Sequence, residues 1–239
     1  MIVSEERAIS ASKQAYVEFL KPYEQQGRVD NEPAVKDRVY RITGWLIAQA
    51  IKMRPETENW DWRIKIIDDP KTVNAWAMAG GKMALYSGLV IQLKATDDEL
   101  AQVLGHEIAH ALANHSAEKM SVAMATTVGV IVVGVAADRK GLALTGAALA
   151  AALAVQRPNS RAAESEADRI GIELAAKAGY DPRAAITLWQ KMAQVGGKGP
   201  PEFLSTHPSP ANREKKLAEY VPEMMPYYKQ KGDRPIYRL

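Results

Sequence analysis

Hydrophobic and polar residues recur with two different periods along the chain, and the changes of period separate helical from extended stretches. Residues 4–53 have helical periodicity in two segments that are separated around Gly27, and Pro55 closes the second segment. A period of two then predicts three short strands, at residues 62–68, 73–79 and 82–86, with a Gly80-Gly81 turn before the last. The first 86 residues are therefore predicted to form two helices followed by a small sheet.

Helical periodicity returns at residue 96 and continues through most of the remaining chain. Thr96 and Glu99 have the spacing of a capping box, which predicts that a helix begins there. Later helix starts are predicted at Asn159-Ser160, at Asp181-Pro182 and at Ser209-Pro210. The chain has no internal repeat, and the segment GGKGPP at 196–201 is its Gly/Pro-rich stretch. We therefore predict an α+β fold that is predominantly α-helical, with a small β-sheet, in one domain.

Two apolar runs lie near the middle of the chain. Residues 121–137 form the first run, which Asp138-Arg139-Lys140 stops, and an Ala-rich second run follows at 141–156. Neither run reaches the roughly 18 apolar residues that a membrane span needs. The two runs together could form a helical hairpin that packs either against a core or against a membrane surface, and the sequence leaves both interpretations open. The length of the runs favours buried or plug-like helices over membrane insertion.

Composition excludes several classes of function. At 239 residues the chain can bury a sizeable core, so any metal is expected to be functional rather than a requirement for folding. The net charge is +3, and the sequence has no basic run interleaved with aromatic residues, so it does not indicate a nucleic-acid partner. Cysteine is absent, which excludes thiolate metal sites, thiol catalysis and disulfides. The first ten residues, MIVSEERAIS, do not have the pattern of a signal peptide.

The segment HEIAHALANH contains three of the four histidines. His106 and His110 are four residues apart and differ by about 40° around a helix axis, so both imidazoles can bind one cation. Two neutral imidazoles leave positions open on a zinc ion for water, and the neighbouring Glu107 can accept a proton from that water. A lone histidine on an apolar helix is usually a core residue, but that interpretation does not account for this pair. The spacing therefore predicts a hydrolytic metal site.

His115 is excluded from that site by the helical geometry. Nine residues correspond to about 900° of rotation, which puts His115 on the opposite side of a continuous helix from His106. The third histidine of the longer motif HExxHxxGxxH would also be one position later, and residue 113 is alanine rather than glycine. We therefore predict that His115 is a surface or helix-end residue.

A further metal ligand is expected from the acidic segment SRAAESEADRIG. Glu164 and Asp168 are one turn apart on one helix face, so Glu164 can bind the metal while Asp168 accepts a hydrogen bond from a ligating histidine. Glu166 is about 200° away from Glu164 and is predicted to face solvent. The alternative is a solvated acidic face that pairs with Arg161 and Arg169.

These motifs together resemble a known family. HEIAH and ESEAD, with the preceding NAWAMAGGKMALYSGL and the following STHPSPANR, are similar to the HtpX/CAAX-prenyl-protease type of zinc metallopeptidase, in particular its soluble, BepA/LoiP-like periplasmic branch. The resemblance implies a gluzincin domain with one Zn²⁺ per chain. In such a domain, the metal ligands would be His106, His110 and Glu164, the catalytic base would be Glu107, and Asp168 would support a ligand by a hydrogen bond. It spans about residues 60–220, and the resulting division of the chain is N-terminal helices at 1–55, catalytic core at 56–220 and C-terminal tail at 221–239.

The resemblance also implies how substrate and additional side chains meet the metal. An edge strand beside the active site binds an extended substrate by main-chain pairing, and its residues are Asn74, Ala75, Trp76, Ala77 and Met78. His207 is assigned to the catalytic site, either as an extra ligand that holds the enzyme inactive or as a donor to the oxyanion; the alternative is a turn residue before a helix. Arg213 is either an oxyanion donor or part of an ion pair on a helix face.

The implied activity is endopeptidase cleavage of unfolded or misassembled cell-envelope proteins, by Glu-assisted attack of zinc-bound water, in the periplasm or at the outer membrane. Partners are protein or peptide substrates, and peripheral membrane or lipid-anchor association and envelope-assembly machinery are compatible with this branch. A periplasmic location would require a removed leader, and the membrane spans of other family members are absent from the sequence. We also expect the apolar region 121–156 to form a plug or lid. Two alternatives are a latent, chaperone-like protein-binding module with a zinc site blocked by His207, and a structural zinc domain.

Overall fold

The computed structural model describes residues 2–123, 159–195, 201–208 and 212–239. The predicted plug or lid lies outside the described residues apart from its first three positions, and the predicted helix start at Ser209-Pro210 lies outside them as well. Within the described ranges, no helix combines the length and the apolar character that crossing a bilayer requires.

Two long helices open the chain, as the periodicity predicts. They are α1 (Glu5–Gln25) and α2 (Pro33–Met53). Ser4 caps α1 by accepting a hydrogen bond from the backbone N–H of Arg7, and Pro33 occupies the first position of α2, where its missing N–H costs no helical hydrogen bond. Gly27 follows α1 with a φ of +65°, a conformation that glycine adopts without steric cost.

A three-stranded mixed sheet follows, with the predicted strands trimmed at their ends. The strands are β1 (Arg63–Ile67), β2 (Ala75–Met78) and β3 (Lys82–Tyr86). Their spatial order is β1-β3-β2, with β1 parallel and β2 antiparallel to the central strand. Strand β2 is therefore an edge strand of the sheet that the described residues form. Gly80 and Gly81, at φ of +75° and +73°, provide the left-handed turn that connects it to β3.

The sheet separates two hydrophobic cores. On one face, Trp76 and Met78 of β2 pack with the buried side of α1, where Tyr16 donates a hydrogen bond to the carbonyl of Met83. On the other face, Ala75 and Ala77 belong to the larger core, which includes residues of α2 and of two further helices, α4 (Asp97–Leu112) and α5 (Arg161–Ala178). The alternation of side chains along the strand therefore directs one half of β2 towards α1 and the other half towards the histidine-bearing helix.

Six further helices are α3 (Ser87–Leu93), α4 (Asp97–Leu112), α5 (Arg161–Ala178), α6 (Ala184–Gln194), α7 (Glu202–Thr206) and α8 (Arg213–Lys229). A short 3₁₀ helix occupies Pro55–Asn59, and residues 115–123 are also helical. The starts of α4, α5 and α6 agree with the capping signals to within three residues. Short helices α3 and α7 were not predicted. Helix α8 crosses residue 220, where the proposed catalytic core was expected to end, and Met224 in its second half is buried. These elements give the predicted α+β fold, predominantly helical with a small sheet.

Candidate metal and active site

Helix α4 carries the HEIAH motif in its last two turns. It begins with the predicted capping box: Thr96 Oγ1 accepts from the N–H of Glu99, and Glu99 Oε2 accepts from the N–H of Thr96. His106, Glu107 and His110 are all buried. The helix therefore delivers two imidazoles and a carboxylate into the interior of the protein rather than to its surface.

Helix α5 brings the acidic segment against α4. Ser160 caps it by accepting a hydrogen bond from the N–H of Ala163, as its position in the sequence predicts. Glu164 is fully buried and Asp168 nearly so, whereas most of the Glu166 side chain is exposed. The prediction that Glu164 and Asp168 share the inner face and that Glu166 faces outward agrees with these positions.

Three of the predicted ligands converge on one small region. His106 Nε2 lies 3.1 Å from His110 Nε2 and 3.3 Å from Glu164 Oε2, and His110 Nε2 lies 3.3 Å from Glu164 Oε1. Ligands bound to zinc at about 2.0–2.1 Å are separated by roughly 3.3 Å at the corners of a tetrahedron. The donor separations are therefore those of a tetrahedral zinc site.

His207 belongs to the same cluster. Its Nδ1 lies 3.3 Å from His106 Nε2 and 3.0 Å from Glu164 Oε1, and its Nε2 lies 3.3 Å from Glu107 Oε1. His207 caps the C-terminus of α7 and stacks on Phe203, with ring centroids 4.3 Å apart. One donor atom each from His106, His110, Glu164 and His207 lies within 4.8 Å of the others. The alternative of a plain turn residue therefore does not describe His207.

Polar atoms without hydrogen bonds line the cluster. Glu164 Oε2 is buried and makes no hydrogen bond with any described residue, although His106 Nε2 lies 3.3 Å away and Arg213 Nη1 lies 3.4 Å away, because neither contact has hydrogen-bond geometry. Glu107 Oε1 is likewise buried without a hydrogen bond. Buried carboxylate oxygens are costly to leave without partners, and a cation would satisfy the oxygen of Glu164. The donor set and this unsatisfied oxygen fit a divalent metal ion.

The negative charge of Glu164 dominates the electrostatics of the cluster. Burial, the largest effect, opposes its ionisation, but the facing imidazoles, His106 first, outweigh burial and hold the pKa of Glu164 far below its usual range. Burial also opposes protonation of His106, yet Glu164 and Asp168 raise its pKa to about 9. Burial lowers the pKa of His110 well below its ordinary value. The ionised carboxylate therefore depends on positive charge beside it: Arg213 supplies part of it, with Nη1 3.4 Å from Glu164 Oε2, and His106 or a metal ion supplies the rest.

Asp168 and Arg213 form a buried pair behind His106. Asp168 Oδ1 lies 3.1 Å from His106 Nδ1 and accepts a hydrogen bond from Arg213 Nη2 at 2.5 Å. Arg213 is only 2% exposed, and its guanidinium lies 3.5 Å from the centre of the Trp189 ring. Arg213 thus forms an ion pair in the interior rather than on an exposed helix face. Arg169, one of the two alternative partners for the acidic segment, pairs instead with Glu223 on the surface.

His115 was predicted to be a surface or helix-end residue on the far side from the site; it does lie at a helix end, but the prediction is wrong about its burial and its side. His115 is 4% exposed, and its Nδ1 lies 2.8 Å from Nδ1 of His110. The predicted rotation assumed a continuous helix, but α4 ends at Leu112 and Asn114 adopts a left-handed φ of +59°. That residue turns the chain before helical structure resumes at residue 115, and so it directs His115 back to the site.

Asn159 was predicted only as part of a helix start, yet it contacts the cluster. Its Nδ2 lies 3.3 Å from His110 Nε2 and 3.2 Å from His207 Nδ1. Its backbone N–H donates to the carbonyl of Thr206, which joins the start of α5 to the end of α7. The sequence signal for Asn159 was its position one residue before the cap of the helix that carries Glu164.

The edge strand meets the site through one of its residues. Ala77 lines a small cavity with members of the cluster and their neighbours: Glu107, His110, His115, Ser116, Lys119, Asn159 and His207. In the β2–β3 register, the backbone carbonyl of Asn74 accepts a hydrogen bond from the N–H of Tyr86. Because the backbone groups of successive residues point to opposite sides of an edge strand, those of Ala75 and Ala77 face away from β3. Within the described part of the chain, the N–H and C=O of Ala77 have no hydrogen-bond partner. The side chains of Trp76 and Met78 lie on the other face, towards α1.

Comparison with known proteins agrees with this geometry. Residues 33–221 match the family described as Peptidase family M48. The mitochondrial metalloendopeptidase OMA1 of Schizosaccharomyces pombe is 41% identical over 164 residues, which are 68% of this chain and 47% of that protein. A Bos taurus relative of the same name is 39% identical over 69% of this chain and 33% of its own length.

A bacterial relative belongs to the branch that the sequence resemblance indicated. The putative beta-barrel assembly-enhancing protease of Vibrio cholerae is 32% identical over 77% of this chain and 39% of its own length. The chain thus spans about half or less of the length of these curated relatives. The resemblance predicted from HEIAH and ESEAD is confirmed, and the chain belongs to peptidase family M48.

Proposed function

We propose that this chain is a zinc-dependent endopeptidase whose metal ligands are His106, His110 and Glu164. The observation that carries the proposal is the convergence of these donors at 3.1–3.3 Å around a buried Glu164 oxygen without a hydrogen bond. Two histidines and a carboxylate are a ligand set of catalytic zinc sites, which keep a position open. Zinc bound there would act as a Lewis acid on the scissile carbonyl and on water.

Glu107 is the catalytic base in this proposal. Its carboxylate takes a proton from the attacking water and delivers it to the nitrogen of the leaving amine, while the peptide C–N bond breaks. Burial raises the pKa of Glu107, which brings a carboxylate closer to the value at which it can both accept and return a proton near neutral pH. Asp168 holds His106 from behind, so that Nε2 of His106 remains directed at the cluster.

The test is Glu107→Gln, which keeps the shape of the side chain and removes its basicity. We expect casein cleavage to fall by about 10²-fold or more, with zinc content and melting temperature unchanged. Glu118→Gln, which alters an exposed carboxylate, is the matched control and should cleave as the wild type does. Full activity of Glu107→Gln would remove Glu107 from its role. Loss of folding on zinc removal would instead favour a structural zinc domain.

A latent state held by His207 is favoured by a separate observation. Nδ1 of His207 is among the donor atoms, 3.0 Å from Glu164 Oε1, and its ring lies between the cluster and the base. If this histidine blocks the site, His207→Ala should cleave casein faster than the wild type. If it assists by donating to the oxyanion, the same change should slow cleavage by about 10²–10³-fold.

Because a blocked site would hide the effect of Glu107, the Glu107→Gln test is repeated in the His207→Ala background. A His207→Ala protein that binds casein without cutting it would favour the chaperone-like alternative.

We further propose that the substrates are unfolded or misassembled cell-envelope proteins. The name of the Vibrio cholerae relative, a beta-barrel assembly-enhancing protease, supports an envelope-assembly context, whereas the OMA1 relatives are named as mitochondrial. The periplasmic location therefore stays a prediction. Capture of bound proteins by Glu107→Gln, with Glu118→Gln as the control, tests the substrate class: enrichment of cytosolic proteins instead of envelope proteins would count against it.

A further inference from the structure

His115 is the histidine that the proposed mechanism leaves without a role, although it is buried beside the cluster. Its Nδ1 lies 2.8 Å from Nδ1 of His110, and its Nε2 lies 3.3 Å from Oε2 of Glu166. His110 directs its other nitrogen, Nε2, towards His106 and Glu164. His115 therefore lies between a proposed metal ligand and a carboxylate that reaches in from the surface.

The hydrogen positions along these contacts follow from the chemistry of the ligand. A metal-binding imidazole needs a lone pair on the nitrogen that faces the metal, so the proton of neutral His110 is on Nδ1. That N–H donates to Nδ1 of His115. The proton of His115 is then on Nε2, from where it is donated to Glu166 Oε2. Every nitrogen in the series has one defined role, and each proton has an acceptor.

We propose that His115 is a positioning residue for His110, which fixes the tautomer and ring orientation of this ligand and links it to the negative charge of Glu166. The inference deepens the proposed zinc peptidase function and rests on it. Ligating histidines almost always donate their second N–H to an acceptor, and that acceptor contributes to metal affinity. A histidine in this place supplies an acceptor that also has its own carboxylate partner.

The two proposed histidine ligands are then supported in two different ways by one helix. His106 lies directly against Asp168, at 3.1 Å, whereas His110 reaches Glu166 through His115. The segment ESEAD of α5 therefore supplies three carboxylates to the site. Glu164 faces the cluster itself, and Asp168 and Glu166 support the two histidines. The exposed position of Glu166 therefore does not exclude it from the site.

The experiment compares two substitutions at residue 115 for zinc affinity, measured by competition with a chromophoric chelator. His115→Leu fills the space without an acceptor, and we expect it to weaken zinc binding about 10–100-fold. His115→Gln offers an amide oxygen to His110 and an N–H₂ group to Glu166, so its affinity should stay within about threefold of the wild type. The ligand-field spectrum of the Co²⁺-substituted protein should change in His115→Leu and be retained in His115→Gln.

Two further variants keep the inference testable if His115→Leu does not fold. Glu166→Gln should weaken zinc binding by about threefold, because a neutral acceptor forms a weaker hydrogen bond than a charged one. Glu118→Gln changes an exposed carboxylate on the same helical segment as His115 and should bind zinc as the wild type does.

The outcomes distinguish this inference from the proposed function. A wild type that binds no zinc would overturn both. A wild type that binds zinc and cleaves casein, with unchanged affinity in His115→Leu, would overturn the role of His115 alone. Equal losses in the Leu and Gln variants would also overturn it, since only packing would then matter. Equal affinities of Glu166→Gln and Glu118→Gln would remove Glu166 from the series.

Discussion

Gly105 of helix α4 and Gly171 of helix α5 lie so close that neither position has space for a side chain. A Cβ on Gly105 would lie 2.8 Å from the carbonyl oxygen of Gly171, and a Cβ on Gly171 would lie 2.8 Å from the backbone nitrogen of His106. Asp168 and Glu164 precede Gly171 by about one and two turns of helix. This contact between the backbones therefore sets the distance between the carboxylates of α5 and the two imidazoles of α4.

Gly171→Ala is therefore expected to disturb the metal site through the backbone. The added methyl group would force α4 and α5 apart, and a shift of the Glu164 carboxylate relative to His106 and His110 would spoil the donor separations. We expect zinc affinity to fall by about tenfold or more, with a loss of about 1–3 kcal/mol in the free energy of unfolding. Chelator competition and urea denaturation measure the two effects.

Gly44→Ala is the matched control for this substitution. A Cβ there would lie 2.5 Å from the carbonyl oxygen of Tyr237, so the same chemical change creates a backbone clash on α2, between elements that contribute no donor to the cluster. We expect it to lower stability while leaving the zinc affinity of the folded protein unchanged. If the two glycine variants lost zinc affinity equally, the close approach of α4 and α5 would have no specific role.

Asp168→Asn is expected to have two separable consequences. The neutral amide weakens the support of His106, which should lower zinc affinity by about 10–100-fold. It also removes the charged acceptor of Arg213 Nη2 and leaves Glu164, 3.4 Å from Nη1, as the ionic partner of this buried side chain, which should lower the free energy of unfolding by about 1–3 kcal/mol. Zinc competition and chemical denaturation in the absence of metal report the two consequences independently.

A double variant tests that separation. In Asp168→Asn combined with Arg213→Met, the guanidinium that has lost its hydrogen-bond acceptor is gone, so part of the lost stability should return in the zinc-loaded protein, where the metal ion replaces the charge that Arg213 supplies to Glu164. Zinc affinity should remain low, because His106 still lacks its carboxylate. Recovery of both properties together would mean that Asp168 acts on the metal site through folding alone.

The donors that share one regular helix were the part of the site that could be predicted from the sequence. The four-residue spacing of His106 and His110, and that of Glu164 and Asp168, fixes their faces wherever the helix is continuous. The capping signals also located the helices that carry them. These features are local, so a single sequence contains them.

The contacts that depend on breaks in helices were not predictable in the same way. The position of His115 depends on the left-handed conformation of Asn114, and asparagine also occurs in many ordinary helices. His207 and Asn159 meet through the backbone hydrogen bond from Asn159 to Thr206, between residues 47 positions apart in the chain. The one-turn helix before His207 is too short for periodicity to identify. Tertiary packing decided these positions.

Asn114→Ala tests the turn that directs His115 to the site. Alanine, like most L-residues other than asparagine and aspartate, is strained by about 1–2 kcal/mol in the left-handed conformation, and the variant also loses the hydrogen bond from Asn114 Nδ2 to Glu5. We expect reduced stability and weaker zinc binding. Asn114→Gly loses the same hydrogen bond but adopts the conformation freely, so it should retain zinc affinity. Equal zinc affinities of the Ala and Gly variants would contradict a role for the turn.

Glu99 provides a pH-dependent contribution to stability away from the metal site. Burial, the largest effect, opposes its ionisation, but Lys191, the N–H of Thr96 and Thr187 together lower its pKa below the ordinary value of 4.5. Since the folded pKa is depressed, the stabilisation is complete above pH 4.5 and is lost as the pH falls through the folded pKa. Lys191 is about one third exposed, so solvent screening limits the contribution to about 1 kcal/mol.

Glu99→Gln is therefore expected to be less stable than the wild type at pH 7 and to approach it at low pH. Urea denaturation at pH 7, 4.5 and 3 measures the difference in unfolding free energy at each pH, and the difference should shrink below pH 4.5. The capping hydrogen bond to Thr96 can be retained by the amide, so the charge is the main change. A difference that stayed constant with pH would show that the ionisation of Glu99 contributes nothing.

The edge strand makes a prediction about substrates rather than about the protein. The outward N–H and C=O of Ala77 are free within the described residues, and Ala77 lines the cavity that contains Glu107 and His207. An extended substrate that pairs with this edge presents every second backbone N–H to it. A peptide series with one N-methylated amide per peptide should therefore lose cleavage at alternating positions, by about 10-fold for each removed hydrogen bond of about 1.4 kcal/mol.

The cleavage rates of the peptides are compared as kcat/KM in the His207→Ala background, so that a block by His207 does not mask the differences. Losses confined to the scissile amide, or losses that do not recur at every second amide, would mean that β2 does not bind substrate by strand addition.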